Sequence, residues 1–191
     1  MKKLIVSLLT ISLSLVLGLG FGGFLHNQTV KKEDSHASSI KNNSLEEELS
    51  FSTTIVRGTV IAELPTYIQD AGLDPRTNFT FPVTPSKIKV TKVFEGDVNV
   101  DDTIVFLQHG DRKEEKNKFV KPNDDVLLIL NKTVNGEYWS YSFDDGLWNI
   151  KQGKVTSKTS NDLYRAFQNG DVANFETRLS NAVKHKVKPK L

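Results

Sequence analysis

The sequence predicts a mainly β domain with a C-terminal helix, folded as an antiparallel barrel or highly curved sheet and preceded by an N-terminal hydrophobic helix. Three observations carry this. Short runs alternate apolar and polar residues at period two between turn residues, one run from Val126 to Leu130 is apolar at every position, and helical periodicity in the body appears only in the C-terminal part. Composition narrows the chemistry. Of 191 residues, 25 are Lys or Arg and 23 are Asp or Glu, a net charge of +2, and none is Cys. The missing cysteine excludes a disulfide framework, a thiolate metal site, a cysteine nucleophile and a lipid-modified cysteine.

The first element follows Met1-Lys2-Lys3. From Leu4 to Leu25 there are 22 positions without an ionisable side chain, 14 of them Leu, Ile, Val or Phe. As a helix this run is about 33 Å long, enough for a hydrocarbon core of about 30 Å. The two lysines favour a cytoplasmic N-terminus, which sends the rest of the chain across the membrane. Residues 1–25 therefore read as a signal anchor, or as a signal peptide if Gly18-Leu19-Gly20 or Ser35-His36-Ala37 is cleaved, and the body as extracytoplasmic: membrane-anchored or secreted. Residues 26–50 are rich in Lys, Glu, Ser and Asn and read as a disordered tether, with Glu46-Glu47-Glu48 as a solvated acidic run.

The folded body is expected over 51–183. In TTIVRGTVIAEL, Val56, Gly58, Val60, Ala62 and Leu64 share one face of a strand, and Gly58 marks a bulge or tight bend. Pro65 to Pro85 reads as a long proline-rich loop carrying Tyr67, Phe79 and Phe81, an insertion suited to binding. SKIKVTKVFEG alternates, with Ile88, Val90 and Phe94 on one face; Thr103 to Leu107 is a further strand. The unbroken VLLIL of Val126 to Leu130 predicts burial on both faces. Glu137 to Phe143 alternates so as to place Trp139, Tyr141 and Phe143 together, and Asp144-Asp145-Gly146 predicts a hairpin into Leu147 to Ile150. Gln152-Gly153-Lys154 is another turn.

Leu163, Ala166 and Phe167 fit a short helix that Gly170 ends. Asp171 is the expected N-cap of a second helix, whose stripe of Val172, Phe175, Leu179, Ala182 and Val183 is the natural cover for the VLLIL strand. Residues 184–191, KHKVKPKL, form a basic tail with four lysines.

The segments VRGTVIAEL, KIKVTKVFEGDVNVDDTIVFLQ, DDVLLILNK, GLWNIKQGKV and NFETRLSNAV, in that order, resemble secreted or membrane-anchored proteins of Gram-positive bacteria with an OB-like β-barrel. The likeness covers roughly residues 51 to 185. The strand ending in Phe94-Glu95-Gly96, its polar turn and the next strand are also similar to netrin-type modules and tissue inhibitors of metalloproteinases. Those inhibitors reach a protease metal through an N-terminal cysteine, which this chain lacks, so the resemblance implies no catalytic or inhibitory residue.

Catalytic signals are sparse. There is no GxxxxGK[ST], GxGxxG or GxSxG. His109 is the one histidine of the 51–183 body; in Gln108-His109-Gly110-Asp111-Arg112 it is the natural base of a hydrolase, or with Asp111 and Glu114 a metal ligand. Polar loop chemistry is the simpler reading, and no cofactor or metal is expected. Residues 51–183 hold 16 Lys or Arg against 18 Asp or Glu, which argues against nucleic acid as a partner. The expectation is a non-catalytic binding module of a cell envelope, taking a protein, peptide or cell-wall glycan on Tyr67, Phe79, Phe81, His109, Trp139 and Tyr141. The alternatives are an envelope hydrolase using His109 and an inhibitor-like or immunity-like protein acting by surface occlusion.

Overall fold

The alternating runs become strands, and the turn residues between them set where the strands end. The computed structural model describes residues 44–72, 79–114 and 118–187. In chain order the elements are α1 (Leu45–Leu49), β1 (Thr54–Glu63), β2 (Tyr67–Asp70), β3 (Thr80–Glu95), β4 (Thr103–His109), β5 (Asp125–Lys132), β6 (Tyr138–Ser140), a 3-10 turn (Phe143–Gly146), β7 (Leu147–Lys151), β8 (Lys154–Thr156), α2 (Asp162–Arg165) and α3 (Val172–Lys184). Strand β1 pairs with β3, β3 with β4, β4 with β6, β6 with β5, and β5 back with β1, so five strands close a ring. Every pairing is antiparallel except β4 with β6, a parallel seam of two residue pairs, Phe106 with Tyr138 and Leu107 with Trp139. Strand β2 lies on β3, and β8 extends the sheet from β7. The expected mainly β fold with a short C-terminal helix is what the chain forms.

The double burial expected of VLLIL is observed. Val126, Leu128 and Leu130 point into the ring, with Val56, Val60, Ile88, Val90, Ile104 and Phe106. Leu127 and Ile129 point outward and pack with Trp148, Tyr164, Phe175 and Leu179. Helix α3 supplies the cover, as its stripe predicts. Asp171 caps it, its carboxylate accepting from Ala173 N at 2.9 Å and Asn174 N at 3.1 Å. Arg57 fastens it to the ring: its guanidinium donates to Asp125 on β5 and, at 3.0 Å, to Glu176, which also pairs with Lys92 at 2.6 Å. The bend expected at Gly58 is present as a register shift in the β1–β3 pairing. A Cβ there would come within 2.6 Å of Lys89 O and of Ile88 Cγ2, so only glycine admits this close approach of β1 and β3.

Several expectations are corrected. The 65–85 insertion is not a loop, because β2 and β3 form a hairpin through it; residues 73–78 lie outside the described residues. Pro82 and Pro85 sit inside β3 because each uses its carbonyl, Pro82 O accepting from Gly110 N at 2.8 Å and Pro85 O from Leu64 N at 3.0 Å. Val93, not Phe94, packs on the inner core, since register shifts turn Phe94 to the outer one. Asp144-Asp145-Gly146 is not a hairpin. Strands β6 and β7 do not pair with each other; both pair with β5, at Leu130 to Lys132 and Asp125 to Leu128 respectively. They are two pieces of one strand interrupted by the excursion Tyr141 to Gly146. Gly146 permits the return, for a Cβ there would lie 2.4 Å from Ile129 O. The Gln152-Gly153 turn does make a hairpin, β7 to β8, with φ of 51° and 75°.

The tether expectation fails at its end: Leu45–Leu49 is a helix. Ser44 caps it, accepting from Glu47 N at 3.2 Å, and Leu45 and Leu49 are buried in the outer core. Glu48 is buried too and accepts from the Tyr141 hydroxyl at 2.8 Å, so the acidic run is only partly solvated. The basic tail is likewise docked at its start, where Lys186 reaches Glu95 at 2.5 Å and Ser52 O at 3.1 Å. The expected membrane segment, residues 4–25, lies outside the described residues; among the described residues no helix is long and apolar enough to cross a membrane.

Leu127→Ala and Leu128→Ala empty different cores from adjacent positions. Each is expected to cost about 2–5 kcal/mol in urea unfolding, by loss of burial plus the cavity left. A near-neutral result for either would show that one face of β5 is not a packed core.

Candidate functional site

The sheet pairings bring distant aromatic residues onto one outer face. Tyr67 lies opposite Val83, and Val83 opposite His109, while Gln69 lies opposite Phe81. Leu107, two residues before His109 on β4, lies opposite Trp139 across the parallel seam. Side chains at directly opposed and alternate positions share a face, so Tyr67, Phe81, His109 and Trp139 are all presented outward. The inner face of the same strands is the ring's core.

Three rings contact His109, and Phe79 extends the group through Phe81. Its imidazole stacks on Trp139 with centroids 4.2 Å apart and planes 21° apart. Phe81 lies 5.1 Å from His109 and 6.4 Å from Trp139, and Phe79 lies 6.5 Å from Phe81. Phe143, from the 3-10 turn, is 5.5 Å from His109 on another side. Phe79 and Phe143 are 56% and 77% exposed, so this ledge is open to solvent rather than folded away. The segment expected to be a long loop is in fact the edge of the β2–β3 hairpin.

Phe143 sits in an unusual backbone conformation, with φ of 34°. A bulky residue at positive φ is strained. The surrounding turn holds it there: the Ser140 hydroxyl donates to Phe143 O at 2.5 Å and Asp145 N donates to Ser142 O at 2.8 Å. The chain thus accepts strain to hold an aromatic ring in water.

Of the sequence candidates, Phe79, Phe81, His109 and Trp139 come together. Tyr67 shares their sheet face but makes no ring contact with them among the described residues; its hydroxyl donates to Gln69 at 3.4 Å, and burial together with the Glu137 charge raises its pKa. Tyr141 does not belong. The alternation that grouped it with Trp139 stops at Ser140, and its ring turns to the outer core beside Tyr164, 6.4 Å away, where burial pushes its pKa up. Phe143, which the same alternation grouped with Trp139, does reach the cluster, from the 3-10 turn rather than from a strand.

A cleft of about 1260 Å³ adjoins the ledge. One wall is the segment after β4, with Arg112, Phe119 and Val120; the other runs along Leu147, Asn149 and Ser157. His109, Trp139 and Phe143 line it as well. It exists because β4 meets the β6–β7 strand only over the two-pair seam. Arg112 pairs with Glu63 and lies over the Phe119 ring at 5.6 Å.

The arrangement offers stacking rather than proton transfer. Partial burial lowers the pKa of His109, so its ring is neutral near pH 7. Among the described residues no hydrogen bond to the His109 ring is seen, and no group of three or more His, Asp or Glu side chains is placed to hold a metal, so His109, Asp111 and Glu114 do not form the centre their spacing suggested. No protein-family model matches the chain, and no curated protein is similar to it in sequence.

A lowered folded-state pKa means that unfolded His109 protonates first as pH falls. Its contribution to stability is therefore intact above about pH 6.5 and is lost on descending from there through the lower folded value. Thermal melts from pH 7.5 to 5 should show a decline that His109→Phe makes shallower. An identical decline in both proteins would place the titration elsewhere.

Proposed function

We propose that this protein is a non-catalytic, extracytoplasmic binding module of a bacterial cell envelope, whose ligand, a protein, peptide or cell-wall glycan, is held on the ledge of Phe79, Phe81, His109, Trp139 and Phe143. The observation that carries the reading is the exposed aromatic cluster with its strained Phe143. Exposed apolar surface of this kind is costly in a free protein and useful in an interface. Export and attachment through residues 4–25 belong to the same proposal, supported by the charge-free apolar run behind two lysines.

The finer fold reading is an OB-like barrel. Its support is the five-strand ring with a single short parallel join and an extra hairpin strand on the long third strand. Such barrels take ligands on one sheet face and its flanking loops, which is where the ledge lies. The use of His109 as a stacking platform favours binding over hydrolysis, because a base needs a proton acceptor site facing substrate and a partner to orient it.

The test is cosedimentation of the full chain in detergent with purified Gram-positive cell-wall sacculi, alongside crosslinking to envelope proteins. Trp139→Ala should reduce capture at least tenfold, the effect of losing a central aromatic anchor. His109→Phe should retain capture because it keeps the stack. Phe143→Asn should raise stability by up to about 1 kcal/mol, since Asn tolerates positive φ, while weakening capture. Capture indifferent to Trp139 would refute the ledge, and a hydrolytic activity abolished by His109→Phe would favour the enzyme.

A further inference from the structure

The cleft has an inner wall whose polar groups the aromatic ledge does not use. A bulge in β1, where its register to β3 shifts between Val60 and Ala62, brings Glu63 opposite Ser86. On β3 and β4, Ser86 lies opposite Phe106 and Thr84 opposite Gln108. Phe106 belongs to the core inside the ring, so alternation turns Glu63, Ser86 and Gln108 inward at one mouth of that ring. Arg112 closes the group by pairing with Glu63.

Thr84 is satisfied there, bonding Thr66 Oγ1 and Gly110 O at 2.8 Å each. Its neighbours are not. Ser86 Oγ, Gln108 Oε1 and Arg112 Nη2 are buried atoms without a hydrogen-bond partner among the described residues. Ser86 is fully buried and Gln108 is only 9% exposed. Gln108 and Arg112 line the cleft next to Phe106, Phe119 and Val120. Buried polar atoms are almost always paired, and leaving Gln108 Oε1 and Arg112 Nη2 unpaired in the lining of one cleft costs stability that a ligand can return.

The two cleft-lining groups define their complement. Arg112 Nη2 is a donor and needs an acceptor, and Gln108 Oε1 needs an N–H or O–H. Glu63 already balances the guanidinium charge, so the site does not call for a second anion. Phe119 and Val120 add apolar surface. A carbonyl oxygen, an N–H and a methyl on one small frame meet all of these demands, and that frame is an acetamido group. At the outer side of the same cleft, the stacked His109 and Trp139 rings offer a flat surface for the C–H face of a sugar.

We propose that the cleft binds an uncharged saccharide bearing an acetamido substituent, with that substituent against Gln108 and Arg112 and the sugar ring on the aromatic ledge. This rests on the binding-module reading and narrows its ligand to one class. An extended peptide carries the same amide but lacks a sugar's flat C–H face, and is the competing outcome.

The full chain in detergent is titrated, by calorimetry, with a tetramer of N-acetylglucosamine, a glucose tetramer and an N-acetylated tetrapeptide. The N-acetylglucosamine tetramer should bind at least tenfold tighter than the glucose tetramer. Gln108→Leu should erase that preference without lowering Tm, because it deletes an unpaired buried acceptor; Gln108→Met, which fills the same space, gives the second check. Trp139→Ala should weaken both sugars. Equal affinity for the two sugars, tighter binding of the peptide, or a preference that survives both Gln108 variants overturns the proposal, as does a fall in Tm in both variants with the preference intact. If neither sugar binds while Trp139-dependent capture on envelope material persists, the saccharide assignment alone fails. If that capture is also absent, the binding-module reading fails with it.

Discussion

Strand β5 carries apolar side chains on both faces, and it is stable only where both faces are covered at once. Five consecutive residues, Val126 to Leu130, are fully buried. At about 1.5–3 kcal/mol per buried aliphatic side chain, this strand supplies a large part of the driving force for folding. One face closes the ring with β1, β3, β4 and β6; the other recruits α1, α2, α3 and the β7–β8 hairpin. The two cores are therefore not independent modules. Arg57 couples them further, since its guanidinium joins β5 to α3 and these two carboxylates hold its pKa above the ordinary value.

The site follows from how this arrangement ends. Partners of β5 on one edge are supplied by a single strand broken into β6 and β7, because β5 needs cover along its whole length while the chain between Tyr141 and Gly146 leaves the sheet. That excursion has two consequences. It brings Phe143 to within 5.5 Å of His109, and it leaves only Phe106 with Tyr138 and Leu107 with Trp139 to join β4 to β6. Beyond this seam the strands diverge and the cleft begins. Trp139 thus stands at the closure of the ring on its outer side, held by backbone pairing rather than by a loop.

Much of this was readable in the chain. The alternating runs, Gly58, the doubly apolar VLLIL and the α3 stripe capped by Asp171 each report a local property that packing later uses. What escaped was of two kinds. Glu46 to Glu48 read as solvated because their charge outweighs the flanking Leu45 and Leu49, whose burial depends on a core formed by residues about 80 to 140 positions away. Tyr141 read as a companion of Trp139 because alternation cannot show where a strand breaks. The aromatic candidates Phe79, Phe81, His109 and Trp139 were visible as residue types, but their convergence depends on a β3–β4 register and a parallel seam that no short-range pattern encodes. Gln108 and Arg112 flank the histidine that drew attention and carried no signal of their own.

Two departures from local consistency border one cleft: Phe143 at positive φ in solvent, and the unpaired Gln108 Oε1 and Arg112 Nη2. A sequence shaped by folding alone has cheap remedies for both, Asn or Gly at 143 and an aliphatic residue at 108. Each departure lowers the stability of the free protein, and both border the same cleft. Groups that one ligand satisfies must lie within that ligand's reach, and these line the same cleft. The strained ring and the unpaired polar atoms line one cleft, the first apolar and the second polar. A partner that answers both must be amphipathic on the scale of a single residue or sugar unit, with one face for stacking and one edge for hydrogen bonds.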